Sequence, residues 1–270
     1  MSKLSKYFSL LKFSLRNPKI GAEMVKIAQD VQSDSKDVLK NHTVKGISLD
    51  TFLKDFFPNT GLSKLLLKEE ISSLENKIKT FLESLENETF PSEKKPYPTD
   101  YSIQEDSRLL LYALCRIIQP SIVVETGVAY GISSSYILHA LKKNGKGTLY
   151  SIDDTFRPWE TNKMIGAAIP NELRENWKLI IGKSSDKLKE ISVSLKDIDI
   201  FLHDSLHTYK NMYFEFELMW PHIKKNGFLI SDDISDNNAF VDFYSTKKIA
   251  PSLLKNNEEK IFLGVLKKIN

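Results

Sequence analysis

The sequence of 270 residues has one cysteine, no long apolar run and little net charge, and each of these features excludes a class of protein or site. Cys115 is its one cysteine, so a disulfide within the chain and a zinc cluster built from cysteines are both excluded. No run of about eighteen apolar residues occurs, and the amino terminus lacks the cleavage-site pattern of a signal peptide. The net charge is +3, from 38 basic and 35 acidic residues, which is too balanced to indicate nucleic-acid binding. We therefore expect a cytoplasmic globular protein without a nucleic-acid partner.

The segment from Val123 to Ser135 has the spacing G-x-x-x-G and lacks the G-x-G-x-x-G fingerprint of dinucleotide-binding proteins. Its β-branched start predicts a buried strand, and Gly127 and Gly131 allow a tight turn with close backbone approach. Ser133 to Ser135 are expected to cap the following helix. The next strand ends at Asp153, where an acid can accept ribose hydroxyls. The pattern predicts a nucleotide-shaped pocket in an α/β sheet.

Proline marks the expected domain boundary. Residues 87–100 hold three prolines and little apolar content, so we divide the chain into a helical region of residues 1–100 and a domain of residues 101–270. After this boundary predicted strands and helices alternate, which favours a parallel sheet covered on both faces. The predicted strands are Ile122–Glu125, Thr148–Ile152, Trp177–Ile181, Ile198–Leu202, Phe228–Ser231 and Lys260–Lys267.

The first hundred residues carry two helical patterns. Residues 3–16 place apolar side chains on one helical face and have only positive charges. We expect this arm to pack on its own domain or on a partner subunit, with weak contact to a membrane surface as the alternative. A second helix is predicted over Ile20–Leu39. Farther along, a heptad indicates a helical pair and favours a homo-oligomer; its residues are Leu67, Ile71, Leu74, Ile78, Phe81 and Leu85.

Four motifs carry a family resemblance. They are Val124-Glu125-Thr126-Gly127-Val128, Ser151-Ile152-Asp153, residues 201–209 (FLHDSLHTY) and residues 227–234 (GFLISDDI). Residues from about 102 to 268 resemble class I S-adenosylmethionine-dependent methyltransferases, within them the macrocin-type and mycinamicin-type sugar O-methyltransferases and the cephalosporin-hydroxylase-like proteins.

The resemblance implies a doubly wound Rossmann-like methyltransferase sheet of strand order 3-2-1-4-5-7-6, with the last strand antiparallel beside the fifth. It also implies that S-adenosylmethionine binds at the first two strand ends, and the implied contacts are Glu125, Thr126, Gly127, Ala129, Gly131, Ser133, Asp153 and Ser184. The chain departs from the family at Lys183, where the family often has an acid that contacts the adenine.

Three further acids follow predicted strands: Asp204 after the fourth, and Asp232 and Asp233 after the fifth. Carboxylates at the same sheet edge repel one another unless a cation or proton intervenes, and their oxygens favour Mg²⁺, or Mn²⁺, over zinc. The alternative is that each acid only solvates a loop or caps a helix. We predict a metal site at Asp204, Asp232 and Asp233, with Asp204 also counted as catalytic.

His207 falls where the resembling sugar O-methyltransferases place their general base, and His203 is a second candidate for that role. The sequence thus predicts a metal-assisted O-methyltransferase for a small-molecule hydroxyl acceptor, with a sugar or glycosylated compound as the expected class. Two alternatives are a nicotinamide-dependent oxidoreductase and a non-catalytic protein that uses its helical region for interactions.

Overall fold

A computed structural model describes residues 3–35, 45–100, 103–255 and 261–269. Its centre is a seven-stranded sheet of order β3-β2-β1-β4-β5-β7-β6, as predicted. The first five strands run parallel and β7 runs antiparallel to β5 and β6. The strands are β1 Ile122–Thr126, β2 Thr148–Asp153, β3 Trp177–Ile181, β4 Ile198–His203, β5 Ile223–Ser231, β6 Pro251–Lys255 and β7 Ile261–Lys267.

Helices cover both faces of this sheet, which leaves the central strands β1 and β4 largely buried and mainly apolar, with Glu125, Thr126, Asp199 and His203 as their polar residues. The α-helices are α1 Lys3–Arg16, α2 Pro18–Asp34, α3 Leu49–Phe56, α4 Lys64–Ser84, α5 Glu105–Ile118, α6 Ile132–Asn144, α7 Ser184–Ser194, α8 Tyr209–Met219 and α9 Ala239–Lys247. Within the described ranges no helix is both long and apolar enough to cross a membrane.

The register of the parallel strands brings their carboxyl ends to one edge. Thr126 at the end of β1 pairs with His203 at the end of β4, and His203 pairs with Ser231 at the end of β5. The residues that follow these strands therefore meet at the same edge, which is where open α/β sheets bind ligands.

Several boundaries differ from the sequence predictions for local reasons. The pattern after β4 predicts a helix over His207–His222, whereas α8 starts at Tyr209, because Thr208 is its N-cap and accepts a hydrogen bond from the Asn211 amide. Helix α6 begins at Ile132 with Gly131 as its cap, so the predicted serine caps are wrong.

Helix α3 and strand β6 were not predicted. The predicted helix Ile20–Leu39 matches α2 to Asp34, and its last residues lie outside the described part of the chain.

The heptad of α4 is used within the chain. Leu67, Ile71, Leu74 and Ile78 are buried in the same hydrophobic cluster as α5 and α6. Phe81 packs edge-on against Tyr130, with ring centroids 5.6 Å apart. This core is continuous across residue 100, and the division of the chain into two domains stays a prediction.

Candidate functional site

A cavity of about 440 Å³ lies at the carboxyl edge of the sheet. The turn after β1 forms one wall and the residues after β4 and β5 form the other, while helix α2 lines it through Ile20, Met24 and Ile27. Nine of the predicted site residues line this one cavity: Gly127, Ala129, Ser133, Asp153, Ser184, Asp204, His207, Asp232 and Asp233.

Gly127 is required by both conformation and space. Its φ is +81°, and a Cβ atom there would overlap the carbonyl oxygen of Asp204. The Gly127 amide donates to the carbonyl of Ile152, and the Asp204 amide donates to the carbonyl of Thr126. The turn is therefore held tightly between the ends of β2 and β4, with its backbone bare towards the cavity.

Asp153 organises the same turn from β2. Its Oδ2 accepts the amides of Val128 at 3.0 Å and Ala129 at 2.8 Å, and its Oδ1 accepts the amide of Asp154 at 2.7 Å. Burial raises the pKa of Asp153, although these amide hydrogen bonds oppose the rise. Its carboxylate faces the cavity with lone pairs that remain free for a ligand hydroxyl.

Glu125 lies beneath the turn, fully buried and outside the cavity wall. It accepts hydrogen bonds from the hydroxyls of Ser133, Ser134 and Ser151. Burial raises the pKa of Glu125 to about 7, and the serine hydrogen bonds limit that rise. Two of the serines expected as helix caps thus hold this carboxylate.

Two other predicted cofactor contacts also lie off the cavity wall. Thr126 is fully buried and its hydroxyl donates to Glu215 Oε2 at 2.6 Å. Gly131 has a φ of +82°, and a Cβ atom there would press on Ile169 and Gly166. Both residues support the turn from the side that faces away from the cavity.

Asp204, Asp232 and Asp233 form an acidic wall of the cavity. The groups around this wall do not neutralise all of its negative charge. Burial, followed by repulsion from Asp232 and Asp233, raises the pKa of Asp204. Burial and Asp233 raise the pKa of Asp232, whose Oδ1 is buried without a hydrogen-bond partner. Burial also raises the pKa of Asp233. Such a cluster is stabilised by a proton or a bound cation.

His207 lies between these acids. Its Nδ1 is 3.2 Å from Asp233 Oδ2 and its Nε2 is 3.7 Å from Asp204 Oδ1. Burial, followed by the neighbouring His203, lowers the pKa of His207 to about 3, so its imidazole is neutral at pH 7. Its buried Nε2 has no hydrogen-bond partner in the described structure.

Asp236 lies beside His207 and Asp233 and was not predicted from the sequence. Atoms of His207, Asp233 and Asp236 that can bind a metal lie within 4.8 Å of one another. Burial, followed by Asp233, raises the pKa of Asp236 to about 6. The spacing of three residues after Asp233 could have signalled it.

His203, the second predicted base, is fully buried behind the wall and pairs with Glu215 at 2.8 Å. It does not line the cavity. Glu215 was also missed, although an acid on the helix face of Met212, Phe216 and Met219 signals a buried carboxylate.

Comparisons with known proteins agree with this architecture. Residues 124–234 match the family model described as a methyltransferase domain. No curated protein matches the chain.

Solved structures share the fold at low identity. An O-methyltransferase from Bacillus cereus in complex with SAH is 14% identical with a TM-score of 0.55, covering 82% of this chain and 97% of that one. TomG from Streptomyces achromogenes, an O-methyltransferase involved in tomaymycin synthesis and bound to SAM, is 12% identical with a TM-score of 0.53 over 82% and 96%. SAH-bound PaMTH1 from Podospora anserina is 11% identical with a TM-score of 0.53 over 77% and 97%. The chain therefore has the Rossmann-like methyltransferase fold, and its residues 124–234 match the methyltransferase-domain family.

Proposed function

We propose that this protein is an S-adenosylmethionine-dependent O-methyltransferase that acts, with a divalent cation, on a hydroxyl of a sugar or glycosylated small molecule. One observation carries the proposal: a single cavity brings the glycine turn and Asp153 together with His207 and with the acids Asp204, Asp232 and Asp233. The methyltransferase-domain match over residues 124–234 supports the reaction class.

The methyl donor is assigned to the turn side of the cavity. Gly127 leaves the backbone of the turn exposed there, and Ser133 stands in the first turn of α6. Asp153 is placed to accept ribose hydroxyls through the lone pairs that its amide partners leave free. Ser184 lines the cavity beside Lys183 and is assigned to the adenine end.

The acidic side has donors that suit Mg²⁺ or Mn²⁺. Its carboxylates are crowded, and Asp232 Oδ1 is a buried oxygen without a partner. We assign Asp233 and Asp236 as cation ligands beside His207, with Asp204 and Asp232 completing the oxygen set. A bound divalent cation would lower the pKa of a coordinated acceptor hydroxyl.

His207 is assigned as the general base. Asp233 stands at its Nδ1, which favours the tautomer with the proton on Nδ1 and the lone pair on Nε2. That lone pair can take the acceptor proton as the hydroxyl oxygen attacks the sulfonium methyl group; the carbon–sulfur bond breaks and S-adenosylhomocysteine leaves. His203 is unsuited to this role because its ring is buried against Glu215.

The test is turnover with donor labelled in the methyl group. The protein is incubated with labelled S-adenosylmethionine and separate acceptors (nucleoside-diphosphate sugars, alkyl glycosides and catechols), with Mg²⁺ or with a chelator. We expect label in a sugar hydroxyl, loss of turnover in chelator and loss of turnover in His207→Gln. The matched control is His222→Gln, which changes a histidine three residues beyond the carboxyl end of α8 and should keep turnover.

Each part of the proposal can fail separately. Labelling of catechols alone would overturn the acceptor class. Full turnover in chelator would remove the cation. Failure to label any acceptor, combined with failure to bind the methyl donor, would overturn the reaction itself.

A further inference from the structure

The outward face of the hairpin formed by α1 and α2 is apolar, which reverses the usual arrangement of a surface helix. On α1 the exposed fractions are 69% for Tyr7, 70% for Phe8, 59% for Leu11 and 75% for Leu15. These residues lie on one stripe of the helix, since their positions follow helical periodicity. An exposed apolar stripe of this kind marks an interaction surface.

The opposite side of the hairpin is already occupied. Ile20, Met24 and Ile27 of α2 line the cavity. Gly21 packs directly on Ser14 of α1, where a Cβ atom would come within 2.7 Å of the Ser14 side chain. The two helices are thus closely joined, and the apolar stripe of α1 faces away from the protein body.

The acids of the hairpin all point inward. Glu23 forms an ion pair with Lys183, and Asp30 forms one with Lys210. Asp34 accepts a hydrogen bond from the backbone amide of Tyr209 at 2.8 Å. No other acid occurs in residues 1–34, so the outward side of the hairpin carries no carboxylate.

Lys6 lies over the rings of Phe90 and Trp159, but four other cations of the hairpin point outward. Lys12 and Arg16 on α1 and Lys19 and Lys26 on α2 are exposed. Among the residues that the structure describes, none of these four has a carboxylate within ion-pair distance. The outward side therefore combines an apolar stripe with unpaired positive charge.

We propose that this face docks on the surface of an anionic lipid bilayer, with α1 in the interface plane. The apolar stripe would enter the acyl boundary while the lysines and arginine meet lipid phosphates, as in other interfacial amphipathic helices. A second copy of the chain fits less well, because a twofold interface would set the same cationic patch against itself. This inference is independent of the methyl-transfer proposal.

Vesicle flotation of the full-length protein tests the inference. Vesicles of phosphatidylcholine with about a quarter phosphatidylglycerol provide the anionic surface, and pure phosphatidylcholine vesicles are the neutral comparison. We expect the bound fraction to be about tenfold higher on the anionic vesicles and to fall when salt is raised to about 0.5 M, where charges are screened within a few ångströms.

Two variants separate the contributions. Tyr7→Ser/Phe8→Ser/Leu11→Ser should abolish flotation, and Lys12→Glu/Lys19→Glu should reduce it about tenfold, since each lysine contributes to anionic-surface binding. The matched controls are Val193→Ser, at an exposed apolar residue of α7, and Lys225→Glu, at an exposed lysine of β5. Both should float like the parent protein. Circular dichroism and thermal unfolding verify that every variant is folded.

Three results would overturn the inference. One is absence of flotation on anionic vesicles, and another is flotation that the apolar triple variant leaves unchanged. The third is a dimer in analytical ultracentrifugation that dissociates in the triple variant while no vesicle binding occurs, which would assign the face to a second copy.

Discussion

The Nδ1 atom of His203 lies 2.8 Å from Oε2 of Glu215, and both side chains are fully buried behind the cavity. Glu215 also accepts the hydroxyls of Thr126 at 2.6 Å and Ser205 at 2.9 Å. It therefore joins α8 to the ends of β1 and β4. Burial alone would raise the pKa of Glu215, but His203 and the hydrogen bonds from Ser184 and Thr126 lower it to about 2.

Removing this carboxylate should destabilise the fold. Glu215→Ala leaves His203 and the Thr126 hydroxyl buried without this partner, and breaking such a buried pair costs about 3–5 kcal/mol. Urea unfolding at neutral pH measures the loss. The control is Glu217→Ala two residues along α8, where a partly exposed pair with Lys247 contributes about 1 kcal/mol or less. Equal stabilities for the two variants would contradict the role of Glu215.

Gly127 in the turn after β1 and Gly145 at the C-cap of α6 both have left-handed backbones, so they form a matched pair. Gly127→Ala places a methyl group against the Asp204 carbonyl, so it should both destabilise the protein and abolish binding of the methyl donor. Gly145→Ala has a similar φ of +68° but meets nothing within 4 Å. It should cost about 1 kcal/mol and leave donor binding intact. If Gly127→Ala bound the donor normally, the close packing of the turn would not matter for the site.

The buried Glu125 should make stability fall as pH rises. Burial raises its folded pKa to about 7, above the ordinary value of 4.5, so its contribution is present below about pH 4.5 and is lost as pH rises through 7. Between pH 4.5 and pH 8.5 the loss should reach about 3 kcal/mol, from a shift of roughly 2.5 units.

Glu125→Gln should flatten that part of the pH dependence in urea unfolding. Glu175→Gln, at an exposed carboxylate, should leave it unchanged. An unaltered slope in Glu125→Gln would show that Glu125 does not titrate in this range.

Mn²⁺ binding, measured by electron paramagnetic resonance, tests which acids of the acidic wall are cation ligands. Loss of even an outer partner weakens metal binding about 10–100-fold, so Asp233→Asn and Asp236→Asn should each weaken Mn²⁺ binding at least that much. Asp186→Asn, at an exposed acid of α7, is the control and should bind normally. If Asp204→Asn weakened binding while Asp236→Asn did not, the set would be Asp204, Asp232 and Asp233 alone.

The sheet and the edge that holds the candidate site could be predicted from the sequence, because both depend on short, local patterns. Buried parallel strands are apolar runs, and the residues after them, such as Asp153 and Asp204, must meet at one edge. The part of the cavity wall formed by α2 could not be predicted in this way. The helix pattern does not show which face of α2 directs Met24 towards the cavity, because that depends on packing against elements distant in the sequence. Ser134 likewise reads as a cap until Glu125 is known to lie beneath it.

Calorimetric titration of the protein with S-adenosylhomocysteine and, separately, with NAD distinguishes a methyl-donor site from a dinucleotide site in the cavity. We expect saturable binding of S-adenosylhomocysteine with about one site per chain, since a single glycine turn forms the donor side of the cavity. We also expect loss of that binding in Gly127→Ala, retention in Gly145→Ala, and no binding of NAD. Saturable binding of NAD with no response to S-adenosylhomocysteine or S-adenosylmethionine would overturn the proposed methyl-donor site.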